Sequence, residues 1–341
     1  MNTLVTGAAF GAALTASGVY QPSVIVSQLK FENWHMIQAF LTAAASSAAL
    51  VHLLQTLSPT TFPLPPRSYS SISLFSRYDG NLFGGILLGT GMMLSGACPG
   101  TVLAQIGTGV RSGFYALEGG IIGGIVFTGF VGPWIAKRNA AAKAAEAAAK
   151  ASGKGEESKE LTKTVYENLG VSRSSVLVAF EAICASVVVS TALWTSVGPE
   201  AKMSPVVGGL CIAGAQLLSL LLRKNLVGTS TSFEEVGDWF WGIFKGKTLP
   251  QRYNNLLFVS GCVLGAKLLT VAYPALGQVT EVAVSPVAAG LGGFLMIIGS
   301  RMAGGCTSGH GISGISLLST SSFLTIGAAF GAGALLGLLR G

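Results

Sequence analysis

The sequence predicts an all-α integral membrane protein of about nine transmembrane helices plus short re-entrant half-helices, in two inverted repeats of four helices joined by an odd connecting helix. Three observations lead there. Half of the residues are hydrophobic and only 10% are charged, against about 25% charged in ordinary soluble domains. A crossing needs about 20 apolar residues, and about nine stretches meet or approach that length, so helices and short turns consume the chain. The third observation is an internal echo: GMMLSGACPGT at Gly91–Thr101 returns as GSRMAGGCTSG at Gly299–Gly309. With Cys98 laid on Cys306, Phe83-Gly84-Gly85-Ile86-Leu87-Leu88 falls on Leu291-Gly292-Gly293-Phe294-Leu295-Met296 without a gap, Gly91 on Gly299 and Gly96 on Gly304. One hydrophobic unit occurs twice, each copy ending in a glycine-framed cysteine.

The elements follow in order. Residues 1–136 form the first membrane repeat. Its first helix runs from Thr3 to Tyr20 and lacks the charged start of a secretory signal, so it is expected to be retained. Gln21 to Asn33 is short and polar at its end, as a half-helix that dips in and returns would be. A second helix spans Trp34 to Leu57, with an aromatic and a histidine at its start that suit an interface. The Pro- and Ser-rich loop that follows carries Arg67 and Arg77, and a third helix starts near Gly80. After Cys98 the run Pro99 to Thr108 is long enough for half a crossing, and a fourth helix spans Phe114 to Ala136.

Residues 137–172 form a charged, Ala-rich linker whose AAAKAAEAAAK portion favours helix and pairs Glu146 with Lys143 and Lys150. Residues 173–198 supply the connecting helix, and 199–341 the second, inverted repeat. Its helices are expected at Met203–Leu222, Leu256–Leu276, Ser285–Ala303 and Phe323–Leu339, with the polar-interrupted stretch Arg223–Asn255 after the first. Eight Lys or Arg between Lys137 and Arg173, against five acidic residues, put the linker on the cytoplasmic side. Arg67, Arg77, Arg223, Lys224, Lys245, Lys247 and Arg252 then fall inside as well. Four helices per copy and one odd connector turn the second copy upside down. The net charge of +7 resides in these connections, so it sets orientation and does not call for nucleic acid.

The segments SGACPGT and GGCTSGHGISG resemble the two cysteine signatures of the YeeE/YedE family of sulfur-compound transporters. The resemblance covers both halves of the chain. It implies uptake of thiosulfate or a related sulfur anion across the cell membrane, with a soluble sulfurtransferase on the cytoplasmic side as a candidate partner. The family carries a further cysteine near the start of its first half. This chain has none before Cys98, which leaves Ser17, Tyr20 or Ser27 to line the entrance.

The residues themselves support a matching chemistry. Irregular backbone at membrane depth survives only against protein or a wet cavity, so Ser95–Gly100 and Gly304–Gly309 read as walls of a path. Pro99 suits the first position of a new helix. Cys98 then caps the half-helix Pro99–Thr108, and Cys306 caps Thr307–Leu318. Free N–H groups at such ends attract anions, and the inversion points the two ends at each other. A soft terminal sulfur accepts a weak S–H hydrogen bond and meets a polarisable surface, which sulfate or phosphate would not exploit. A thiolate would repel a dianion, so the thiols are expected to stay protonated. The site residues are Cys98, Gly96, Pro99, Gly100, Thr101, Cys306, Gly305, Thr307, Ser308, His310 and Arg301. For His310, capping or packing is the competing use. Arg301 and Lys267 are charges in hydrophobic stretches and count as candidates on that ground, with snorkelling the alternative for Lys267; Glu118 and Glu181 are possible counter-charges or proton carriers. Cys184, Cys211 and Cys262 read as small buried hydrophobes. No metal or cofactor is called for, since the five cysteines lack metal-type spacing. The competing readings are a membrane sulfur-transfer or thiol redox enzyme using Cys98 or Cys306, and a purely structural membrane protein.

Overall fold

The computed structural model describes residues 1–151, 162–195, 203–246, 253–278 and 284–340. Among these the regular structure is all helix, with one isolated bridge between Thr164 and Ser319. The first half holds α1 (Asn2–Ala16), α2 (Pro22–Leu29), α3 (His35–Leu57), α4 (Asp79–Ser95), α5 (Thr101–Thr108) and α6 (Arg111–Val126). A π turn at Phe127–Val131 carries α6 into α7 (Gly132–Ala151). Then come α8 (Val165–Leu169), α9 (Arg173–Trp194), α10 (Pro205–Arg223), α11 (Thr231–Phe244), α12 (Asn254–Ala272), α13 (Pro286–Met302) and α14 (Thr320–Arg340). A second π-helical segment, Thr307–Gly314, lies between the last two. The Ala-rich stretch is helical as expected, and α6 runs on into it without a break at position 136; the linker's Gly153–Ser158 lies outside the described residues.

Six described helices are long and apolar enough to cross a membrane: α3, the α6–α7 rod, α9, α10, α12 and α14. The pair α13 and Thr307–Gly314, bent by 45°, makes a seventh. The two that fall short of the nine expected are α1, with 15 residues, and α4, with 17. Both stop where the chain breaks into a helix of 8 residues, α2 after Gly18 and α5 after Gly96. α9 is almost wholly unburied, with Cys184 its buried residue, and rests mainly on α3.

Small residues decide how the rest packs. Without a hydrophobic drive between helices in lipid, close backbone approach is the main source of attraction. A Cβ on Gly84 would lie 2.5 Å from the carbonyl oxygen of Gly299, and one on Gly299 would lie 2.5 Å from that of Gly84. Gly91 and Gly292 exchange the same contact at 2.5 and 2.6 Å. The early part of α4 therefore meets the late part of α13 and the reverse, so these two helices, which share the repeated sequence, run antiparallel. Their neighbours correspond too: Gly85 packs on the Thr325 carbonyl of α14 and Gly293 on the Ala116 carbonyl of α6. α1 and α10 are likewise antiparallel. Asn2 at the start of α1 donates to the Leu222 carbonyl at the end of α10, and Ser17 beyond the end of α1 lies against Gly208 at the start of α10. α1 packs along α12 as α10 packs along α3.

One face of the bundle is stitched by its loops. Val165 N–H donates to the Leu318 carbonyl and Thr320 N–H to that of Lys163, fastening the end of the linker to the start of α14. There Thr164 and Glu167 form a reciprocal helix cap, and the hydrogen bond from Thr164 heads the causes that hold the Glu167 carboxyl below its ordinary range. The loop before α4 joins the same face: Arg67 N–H donates to Ser319 Oγ at 2.9 Å, and Arg138 of α7 donates to the carbonyls of Ile72 and Ser73.

Candidate functional site

Two left-handed glycines build the site. Gly96 (φ +60°) ends α4 and Gly304 (φ +82°) follows α13, at equivalent places in the repeat. A residue with a Cβ is strained there, and the turn that glycine permits sends the chain into each cysteine. Cys98 caps α5 through both its backbone and its thiol. Its carbonyl accepts from Val102 N–H at 2.9 Å, its Sγ accepts from Thr101 N–H at 3.3 Å, and its own N–H donates to Thr101 Oγ1 at 2.7 Å. This is the reciprocal arrangement of a capping box with a thiol as the cap. Pro99 and Gly100 lie between cap and helix, so regular helix starts at Thr101 and not at Pro99.

Cys306 is in the extended region (φ −96°, ψ −173°), and its carbonyl accepts from His310 N–H at 2.7 Å. Its thiol is fully buried, 3.2 Å from Ser308 Oγ and 3.4 Å from Thr229 Oγ1. The half-helix expected over Thr307–Leu318 is instead π-helical to Gly314, and Leu318 has a positive φ of 54°. Close neighbours at its glycines accompany the wide turn: Gly311 is pressed against the Phe40 ring and Gly314 against Ser322 Oγ. Such π segments recur at functional sites.

The two capped turns meet. A Cβ on Gly100 would lie 3.8 Å from Ser308 Oγ, and these two residues are equivalent in the repeat. Between the turns is a cavity of about 60 Å³ lined by Cys98, Gly100, Thr101, Thr307 and Ser308, with Phe10, Leu14, Met36, Phe40, Met92 and Phe330 among its apolar walls. Residues of both turns line it, but the surface they show the cavity is apolar, and Cys306 itself is not among the lining residues. Thr307, one of the lining residues, has its Oγ1 buried without a hydrogen-bond partner.

The remaining expected residues divide. His310 is buried, with Nε2 3.0 Å from the Ala303 carbonyl and Nδ1 2.8 Å from Ser322 Oγ. A carbonyl only accepts, so Nε2 carries the proton and both ring nitrogens are engaged in holding the loop. Gly305 lies under that ring: a Cβ there would be 2.9 Å from it. Arg301 forms an ion pair with Glu234, and its Nη1 is 3.4 Å from Thr231 Oγ1. The structure thus gives Arg301 a partner on α11, neither Glu118 nor Glu181. Lys267 is exposed.

Cys184 and Cys262 are buried as expected, but Cys211 is exposed on α10 beside exposed Leu210; in a lipid-facing stripe a small apolar residue has no reason to be hidden. Ser17, Tyr20 and Ser27 are not among the cavity-lining residues; their hydroxyls donate to the carbonyls of Leu14, Leu276 and Ser23. Two residues that sequence reasoning did not assign to the site stand at Cys306. Thr229 touches the thiol, and Arg67 reaches in from its loop, its Nη1 donating to the Gly304 carbonyl at 3.1 Å. Both lie in irregular segments without periodicity, and the only signal was the two arginines, Arg67 and Arg77, in a Pro- and Ser-rich run.

The family described as Sulphur transport matches residues 16–336. The chain is 24% identical over 333 residues to the Thiosulfate transporter TsuA of Spirochaeta thermophila, which covers 94% of this chain and 93% of that protein. It is 35% identical over 131 residues to a probable transporter of Xylella fastidiosa, covering 37% of this chain and 89% of that relative.

Proposed function

Because the chain belongs to the Sulphur transport family, we propose that it is a permease that imports thiosulfate or a related sulfur-containing anion past Cys98 and then Cys306. As a member of that family it is a multi-pass membrane transporter of sulfur compounds and not an enzyme. The observation that carries the finer reading is the meeting of the two cysteine turns, Gly100 against Ser308, at a cavity lined by residues of both, Cys98 among them. Helix N-termini favour the anion's negative charge. The thiols offer weak S–H donors and a polarisable surface to its terminal sulfur. Weak contacts in series suit transport, which needs a site that binds and also releases.

The proposal includes nine membrane helices in two inverted copies, with α1 and α4 completing their crossings through the half-helices that follow them. The antiparallel pairing of α4 with α13 and of α1 with α10 supports this, since a two-fold relation between antiparallel partners has its axis perpendicular to them, in the membrane plane. Cys98 then follows the outer end of α4, and Cys306 the linker-side end of α13. The linker is the cytoplasmic face, where a soluble sulfurtransferase is the proposed acceptor. A tag inserted between positions 153 and 158 should be accessible only from the cytoplasm, and one at the C-terminus only from outside. Both tags on one face would remove the inversion.

Uptake of labelled thiosulfate into vesicles holding the purified protein, with sulfate as competitor, tests the function. Thiosulfate should enter intact and sulfate should compete poorly. Cys98→Ser and Cys306→Ser keep a donor but replace the polarisable sulfur, so they should retain partial uptake and discriminate less well against sulfate. A stoichiometric extra sulfur on Cys98 or Cys306 after turnover, with sulfite released, would overturn the permease in favour of sulfur transfer.

A further inference from the structure

The loop between α3 and α4 places one charge at the second cysteine turn. Arg67 is half-buried, and its backbone is fixed on both sides, by Arg67 N–H to Ser319 Oγ and by Ser321 Oγ to the Arg67 carbonyl. Its guanidinium donates to the Gly304 carbonyl through Nη1, and its Nε is buried with no hydrogen-bond partner. Among the described residues no carboxylate forms an ion pair with it; the nearby Arg301 has Glu234, and Arg67 has only backbone. A guanidinium held in a helix-end turn without a counter-charge is costly, and the turn adds its own partial positive charge.

Gly309 stands beside both the guanidinium and the Cys306 thiol. A methyl group on its Cα would lie 3.3 Å from Arg67 Nη2 and 3.8 Å from Cys306 Sγ, so one small group there touches both guanidinium and thiol. A sulfur oxyanion has the two ends this spot wants, a soft sulfur for the thiol and hard oxygens for a planar fork of N–H donors. The repeat does not mirror this feature. The equivalent connection between α12 and α13, YPALGQVTEVAVS, has no Lys or Arg and carries Glu281. The cation of this loop thus stands at the Cys306 turn, the one stitched to the linker through Ser319.

We propose that Arg67 is the receiving residue for the transported anion, binding its oxygens as its terminal sulfur meets the Cys306 thiol and so drawing it toward the linker face. This rests on the permease reading and adds to it a specific anion-binding residue and a direction. Arg67→Gln should raise KM for thiosulfate by about tenfold or more, the worth of a charge-assisted hydrogen bond. Arg67→Lys should keep most of the affinity. Gly309→Ala keeps the arginine but puts a methyl 3.3 Å from its Nη2 and 3.8 Å from Cys306 Sγ, so the guanidinium must give by a few tenths of an ångström and KM should also rise. An arginine that merely holds Gly304 predicts another pattern: Lys and Gln equally harmful, through the amount of folded protein and not KM, and Gly309→Ala silent. Wild-type KM in Arg67→Gln, or in Gly309→Ala if the arginine variants do not fold, would overturn the assignment while leaving the permease standing. Should the wild type itself take up nothing, the permease reading fails and thermal unfolding with added thiosulfate decides the site. A rise in Tm lost in Arg67→Gln or Gly309→Ala keeps Arg67 as an anion site, and no rise in the wild type removes it.

Discussion

Cys98→Ala and Cys306→Ala are each expected to bring thiosulfate uptake down to the level of empty vesicles while the protein purifies and unfolds as the wild type does. The folding part follows from the local hydrogen bonds. In α5 the capping carbonyl of residue 98 and the Thr101 hydroxyl on its N–H survive the change, and only the bond from Thr101 N–H to the thiol is lost. Loss of a cap side chain costs about 1 kcal/mol. At Cys306 the thiol touches the hydroxyls of Ser308 and Thr229, which lie 3.5 Å apart and turn to each other when it is gone. The functional part follows from position: Cys98 lines the cavity and Cys306 is buried in the second of the two turns that meet there. Cys184→Ala, Cys211→Ala and Cys262→Ala should transport normally, with at most about 1 kcal/mol of lost packing at the two buried positions. Full uptake by both Cys98→Ala and Cys306→Ala would sink the site, and a dead Cys262→Ala would move the path to the α1–α12 interface.

Gly91→Leu and Gly299→Leu should yield no monodisperse folded protein. At both positions the atoms that a Cβ would strike belong to the backbone of the partner helix: the Gly292 carbonyl and Met296 nitrogen at 2.5 Å for Gly91, and the Gly84 carbonyl and Leu88 nitrogen at 2.5 Å for Gly299. Where side chains give way, overpacking costs about 1–3 kcal/mol. Here they do not, so α4 and α13 must separate and carry the two cysteine turns with them. Gly214→Leu and Gly327→Leu are the controls, since a Cβ at either has no atom within 4 Å. Their removal of a helical glycine should stabilise by about 0.5–1 kcal/mol. Size-exclusion profiles and thermal unfolding in detergent read the difference, and monodisperse Gly91→Leu protein with wild-type Tm would refute the α4–α13 contact.

How far the sequence reached is clearest at the cysteines. Low charge and long apolar runs determined a helical membrane protein by themselves, because a chain in lipid must satisfy its backbone within each segment. The repeated glycine spacing around Cys98 and Cys306 located both breaks, because glycine at a left-handed turn leaves a mark at one position that needs no partner to be read. The Ala-rich helix of the linker was legible for the same reason. The tertiary structure alone decided which charges stand where. Arg301 looked like the cation nearest Cys306 along the chain, yet it turns to Glu234 of α11, while Arg67 arrives from a loop more than two hundred positions earlier. Thr229 reaches the thiol from the turn before α11, and Cys211 faces outward from a helix whose apolar residues cover both sides. Helical periodicity in lipid does not separate inside from outside as it does in water, since both faces are apolar. Contacts between distant loops obey no period at all, and folding is what brings them to one site.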